Sequence, residues 1–266
     1  LQDRLFNNDG KGNFTKNLSA LPSMLISGKS IAVGDYDDDG DLDLFVGGNV
    51  VPQKYPLSPK SYLLKNENGK FTDMTKSNND LKEIGLVSEA VFTDYDNDND
   101  LDLLVVGEWM SPTFFTNHLG AFTIAANITG LQHTEGWWQS ISMADLDGDG
   151  DQDYLLGNIG KNNKFHPTTE SPLYINANDF DTNGTFDVAM SKISNGKIVP
   201  VRGKECSSEQ NPFLLDKIKT YKKFAHMEMK DIYGEDKLND GFKLSATRFE
   251  TVYLENLGNG GFRVND

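Results

Sequence analysis

One nine-residue pattern occurs four times in this chain and constrains its fold more than any other feature. The pattern is D-x-D-x-D-G-x-x-D. Its odd positions are Asp35, Asp37, Asp39, Asp41 and Asp43 in loop 1, and Asp94, Asp96, Asp98, Asp100 and Asp102 in loop 2. In loop 3 they are Asp145, Asp147, Asp149, Asp151 and Asp153, and in the weaker loop 4 they are Asp179, Asp181, Asn183, Thr185 and Asp187. These windows hold 19 of the 40 acidic residues, so the acidity is organised rather than spread. Self-similarity of this kind marks a repeat architecture.

Oxygen donors at positions 1, 3 and 5 with a glycine at 6 are what a short loop needs to wrap a hard cation. Alternate side chains converge on one point, and the glycine permits the turn that brings a position-7 carbonyl inward. A solvated acidic turn would use the same residue types, but four copies in register argue against it. Carboxylates crowded this closely repel one another without a counter-ion. Calcium suits such an oxygen cage better than magnesium, which keeps its waters and its strict octahedron. Zinc does not fit, because the four histidines show no ligand spacing. An EF-hand does not fit either: its position 12 should be glutamate, and here it is Val46, Val105, Leu156 and Met190. The last side-chain ligand is instead expected at position 9.

The flanks of each loop are short apolar runs without helical period, which predicts antiparallel hairpins over 30–46, 89–106, 140–156 and 173–190. A second element recurs, as Leu5–Phe14, Leu64–Phe71, Phe115–Phe122 and Tyr253–Phe262, each with an Asn/Gly-rich turn between apolar ends. Two hairpins per repeat make a four-stranded β-propeller blade. Successive loops start 59, 51 and 34 residues apart, and the short third step suggests an outer hairpin lost or shrunk between Asp153 and Pro172.

These motifs together resemble FG-GAP/VCBS repeats, and more closely those of the bacterial ASPIC/UnbV and cartilage acidic protein group. The resemblance covers essentially the whole chain apart from the segment 204–245. It implies an all-β, calcium-stabilised propeller, usually of seven blades, on secreted or surface-anchored proteins. Carried over by position, it makes positions 1, 3, 5 and 9 the side-chain ligands. Two departures stand out: Asn99 replaces the position-6 glycine of loop 2, and Asn183 and Thr185 weaken loop 4. Residues 1–266 are therefore expected to be propeller repeats, as an arc of a larger ring or a smaller closed one.

The segment 204–245 is expected to be a helical insertion. Asn211, Pro212 and Gly234 suit the ends of one amphipathic helix of about 20 residues with Leu214, Ile218, Tyr221, Ala225, Met229 and Ile232 on its apolar face. Trp109, Trp137 and Trp138 suit either a sugar-stacking platform or packing, with packing favoured.

Composition limits the function. A net charge of −15 without a basic cluster argues against nucleic acid. No apolar run has the ~18 residues a membrane span needs. The start, Leu1-Gln2-Asp3, reads as the cut end of a longer chain. No nucleophile elbow, phosphate loop or zinc-protease motif occurs. The expectation is a non-catalytic calcium-binding module for a protein or glycan ligand, extracellular, on the outer surface or periplasmic. A glycan-processing hydrolase or lyase acting at the propeller mouth is the alternative.

Overall fold

Each aspartate loop closes an antiparallel hairpin in the computed structural model, which describes residues 2–258 and 260–265. The chain starts with a separate hairpin of β1 (Leu5–Asn8) and β2 (Phe14–Asn17). The first four-stranded unit follows as β3 (Gly28–Gly34), β4 (Asp43–Gly48), β5 (Tyr62–Glu67) and β6 (Lys70–Asp73), paired in chain order. Two single-turn 3-10 helices lead to the second unit: β7 (Leu86–Thr93), β8 (Asp102–Met110), β9 (Thr113–His118) and β10 (Ala121–Ile124). The third opens with β11 (Gly136–Ala144) and β12 (Asp153–Asn158).

The chain then leaves the third unit. It builds a sheet from β13 (Leu173–Asn178), β14 (Asp187–Ser194) and β15 (Lys197–Pro200). Five short helices follow: α1 (Lys204–Gln210), α2 (Leu214–Lys217), α3 (Tyr221–Phe224), α4 (Met229–Tyr233) and α5 (Glu235–Asn239). Strand β16 (Phe242–Ala246) returns to pair with β13. Only then do β17 (Val252–Asn256) and β18 (Phe262–Asn265) complete the third unit, with β17 pairing β12.

Two expectations are corrected. The third unit has not lost its outer hairpin; that hairpin is Tyr253–Phe262, displaced along the chain by an insertion that carries loop 4. Spacing between loops cannot distinguish a deletion from an insertion that contains a loop of its own. Nor is there one long helix. Ile218 is extended, and Thr220 caps a new helix by accepting from the Lys223 amide. The short helices wrap one apolar cluster that includes Leu214, Ile218, Phe224, Met229 and Ile232. Tyr221, placed on the apolar face by periodicity, is 64% exposed, and Phe224 takes its place inside.

The three units pack face to face in a propeller-like, mostly β arrangement. One apolar cluster joins the first two through Phe45, Val87, Phe92 and Phe115, and another joins the second and third through Leu104, Phe114, Trp138, Tyr154 and Phe262. Gly34 sits where an added Cβ would meet Phe92 at 3.0 Å and Leu101 at 3.1 Å, so this approach needs glycine for room. The inner strands share a second device. Each carries a register shift, at Gly28/Ser30, Val87/Glu89 and Trp138/Ser140. Such a shift leaves a backbone group without its ladder partner. Just past the shift the preceding unit docks on the strand: Ala90 N donates to Ser30 Oγ at 2.9 Å, and Ile141 N to Glu89 Oε2 at 3.1 Å. The shifted residues themselves meet, Lys29 Nζ donating to Gln139 Oε1 at 2.9 Å and to Ser88 Oγ at 3.2 Å.

Candidate metal centres

Loops 1, 2 and 3 link the two inner strands of consecutive units, so they line one rim. The insertion packs at the other end of those strands, where Leu86 and Trp109 join Leu173, Ile175 and Ala246. Trp109 and Trp138 are buried there and in the core, and the indole of Trp138 donates to Thr134 O at 3.0 Å, so both tryptophans pack rather than form a platform.

Every loop is shaped by its own carboxylates. The position-1 aspartate accepts from the position-6 amide: Gly40 N to Asp35 Oδ2 at 2.8 Å, Asn99 N to Asp94 Oδ2 at 3.0 Å, Gly150 N to Asp145 Oδ2 at 3.2 Å, Gly184 N to Asp179 Oδ2 at 2.9 Å. Position 5 accepts from the amide of position 7, as in Asp41 N to Asp39 Oδ1 at 3.0 Å, Asp100 N to Asp98 Oδ1 at 2.9 Å, Asp151 N to Asp149 Oδ1 at 2.9 Å and Thr185 N to Asn183 Oδ1 at 2.7 Å. Position 6 is left-handed in all four loops, with φ of 91°, 72°, 98° and 85°, and space around each glycine is open. Conformation and not room therefore calls for glycine, which is why Asn99 can stand in. Position 4 is left-handed as well, at Asp38, Asn97, Gly148 and Thr182.

Position 9 has a part that its place in the pattern does not reveal. Asp43, Asp102 and Asp153 are fully buried. One oxygen of each accepts from position 2 of its loop: Tyr36 N at 3.2 Å, Tyr95 N at 3.4 Å and Leu146 N at 2.9 Å. The other accepts from the outer hairpin: Asn66 N at 2.7 Å, Asn117 N at 2.7 Å and Asn256 N at 2.8 Å. Those asparagines belong to the second repeated motif. Their Nδ2 groups donate back to the loops, Asn66 to Leu42 O at 3.0 Å, Asn117 to Leu101 O at 3.0 Å and Asn256 to Gln152 O at 3.3 Å. In loop 4, Asp187 Oδ2 accepts from Phe180 N at 3.0 Å.

Within each loop three carboxylates bring one oxygen apiece to within 4.8 Å of one another. They are Asp35, Asp37 and Asp39 in loop 1; Asp94, Asp96 and Asp102 in loop 2; Asp145, Asp147 and Asp153 in loop 3; Asp179, Asp181 and Asp187 in loop 4. Each group could hold a metal ion. Asp43, Asp98 and Asp149 lie outside these groups. At position 7, Asp41 Oδ2 accepts from Asn68 N at 2.7 Å, Asp151 accepts from Asn97 Nδ2 of the preceding loop, and Thr185 bonds Asn183. The side chains of Asp41, Asp151 and Thr185 at position 7 are thus already hydrogen-bonded.

The electrostatics fit a cation. Burial above all, with neighbouring carboxylates adding to it, pushes Asp43 up to about 6 and Asp102 up to about 7. Burial likewise raises Asp96, Asp147 and Asp187. One buried oxygen, Asp37 Oδ1, has no hydrogen-bond partner at all. A divalent ion within the nest would stabilise every ionised carboxylate and give that oxygen a partner.

The family model described as FG-GAP-like repeat matches residues 2–46 and 94–156. These stretches contain loops 1, 2 and 3 and leave loop 4 outside. No curated protein matches the chain significantly.

Proposed function

We propose that this chain, which carries FG-GAP-like repeats, is a non-catalytic, calcium-rigidified β-propeller module that presents its loops to a protein or glycan partner at the cell exterior. The observation that carries the reading is the row of three like carboxylate nests along one rim, each tied to its outer hairpin by an asparagine. Calcium is the cation of choice because the donors are all oxygens, numerous and supplied by the protein. The acidic rim is then not a catalytic pair but a set of struts whose repulsion the ion cancels.

The same reading makes the three units part of a larger, seven-bladed ring of the kind expected in the ASPIC/UnbV and cartilage acidic protein group. Support comes from the outermost faces of the row. Ile31 and Val33 of β3 are 62% and 55% exposed, and Leu155 of β12, on the face opposite Tyr154 and Leu156, is 46% exposed. The corresponding positions between units are packed. A closed small ring would have covered both faces.

The test is a screen of glycan and protein ligands, scored for binding and for hydrolysis, with calcium and with chelator. Binding that needs calcium and leaves the ligand intact supports the module. Turnover of a glycan would replace it with an enzyme.

A further inference from the structure

Loop 1 differs from the other three in a way that its own aspartates do not explain. In loops 2, 3 and 4 the converging carboxylates come from positions 1, 3 and 9, whereas in loop 1 they come from positions 1, 3 and 5. A lysine on the outer hairpin accounts for the difference. Lys65 Nζ, from β5, lies against Asp37 Oδ2 and pairs with Asp39 Oδ2 at 2.9 Å, drawing positions 3 and 5 together. The pair is partly desolvated, with the Asp37 side chain only 15% exposed. Lys65 immediately precedes Asn66. The same place before Asn117 and Asn256 is held by Thr116 and Glu255, which turn to Tyr95 OH at 2.7 Å and to Arg263 Nη1 at 2.6 Å instead.

We propose that Lys65 is a built-in counter-ion of loop 1: its ammonium holds Asp37 and Asp39 in the metal-free protein, and a divalent ion must displace it to bind there. The inference rests on the calcium reading above. An ammonium and a divalent cation cannot share so small a nest, because like charges a few ångströms apart repel strongly in a partly desolvated site. The lysine head is a compact point charge on a flexible four-carbon stem, so it can leave for solvent without disturbing the strand. Loop 1 consequently keeps its shape without metal, and binds metal more weakly than loops 2 and 3.

The position-6 amides report each loop separately, since each donates to its own position-1 carboxylate. Calcium titration of the isotope-labelled protein, followed by NMR at Gly40, Asn99 and Gly150, gives three midpoints. The Gly40 midpoint is expected at about tenfold higher calcium than the other two. Lys65→Thr, which installs the residue of the second unit, should bring Gly40 level with them. Thr116→Lys should move the Asn99 midpoint up. A Gly40 midpoint that coincides with the others in the native protein, or that ignores Lys65→Thr while Asn99 and Gly150 titrate normally, overturns the role of Lys65 and leaves the calcium reading standing. Silence of all three amides overturns both.

Discussion

Asn117 Nδ2 donates to the Tyr36 carbonyl at 2.7 Å, so an outer-hairpin asparagine of the second unit holds position 2 of the first unit's aspartate loop. The relationship repeats one unit on, where Asn256 Nδ2 donates to Tyr95 O at 2.8 Å. Each of these asparagines therefore serves two loops, its own and the one before. The rim is one hydrogen-bonded series, and an ion bound in one loop acts on a structure shared with the next.

Removing such a link should be expensive. Asn117 is buried, and Asn117→Ala strips donors from the Tyr36 and Leu101 carbonyls at once. A buried polar group left unpaired costs about 1–3 kcal/mol, so a loss of roughly 2–6 kcal/mol is expected from the two carbonyls together. Urea denaturation in saturating calcium measures it; a loss within error of zero would mean the link is idle.

The raised carboxyls fix the sign of a pH effect. Asp43 and Asp102 hold a proton more tightly in the folded chain than in the unfolded one, where aspartate titrates near 4. Their stabilising contribution is fully present below that value and is lost as the pH rises through about 6 and then about 7. Metal-free protein should therefore gain stability from these groups between about pH 8 and about pH 5. The stabilisation by calcium, which needs ionised ligands, should shrink over the same interval. Melting curves in chelator and in calcium across that range show both trends. A metal-free Tm that falls steadily on acidification over this interval would contradict the assignment.

Loop 4 carries a strained residue. Thr182 stands at φ 61°, where the other loops place Asp, Asn and Gly. A β-branched side chain in the left-handed region costs about 1–2 kcal/mol. Thr182→Asn should recover about 1 kcal/mol, read as a higher Tm in chelator. No gain, or a loss, would show that the strain is already relieved.

Loop 4 also has one carboxylate fewer, with Asn183 at position 5, and Lys237 Nζ donates to Asp179 O at 2.7 Å. Ligand charge is a main control on calcium affinity. Asn183→Asp is expected to tighten this site by about tenfold, and Asp96→Asn to weaken loop 2 in the same manner. Calorimetry on the two variants decides; an unmoved weak step in Asn183→Asp would remove loop 4 from the set of calcium sites.

Much of this was legible because the loops are local. Nine consecutive residues carry a pattern whose donors, turn and flanking strands are all near neighbours, so spacing points Asp94, Asp96, Asp98 and Asp102 toward one place, where the structure brings together Asp94, Asp96 and Asp102. The supporting layer is not local. Asn256 reaches Tyr95 across 161 positions, and the L-x-N motif reads only as a turn until the fold brings the two together. Lys65 is hidden for the same reason: nothing in Leu64-Lys65-Asn66 says that its ammonium ends against Asp37. Chain order misled where the insertion separates β12 from β17, because the repeat unit is spatial and the spacing is sequential. The 3.6 period misled over 212–234, where short helices that share no axis bury Leu214, Ile218, Met229 and Ile232 around a single cluster but leave Tyr221 and Ala225 exposed.

The proposed function stands on the aspartate loops being metal centres built for calcium. Its most direct test is a crystal structure of the protein grown with calcium. An ion is expected in loops 2 and 3 at least, with oxygens of positions 1, 3, 5 and 9 and the position-7 carbonyl about 2.3–2.6 Å away. Water alone between Asp94, Asp96 and Asp102, and between Asp145, Asp147 and Asp153, would contradict it.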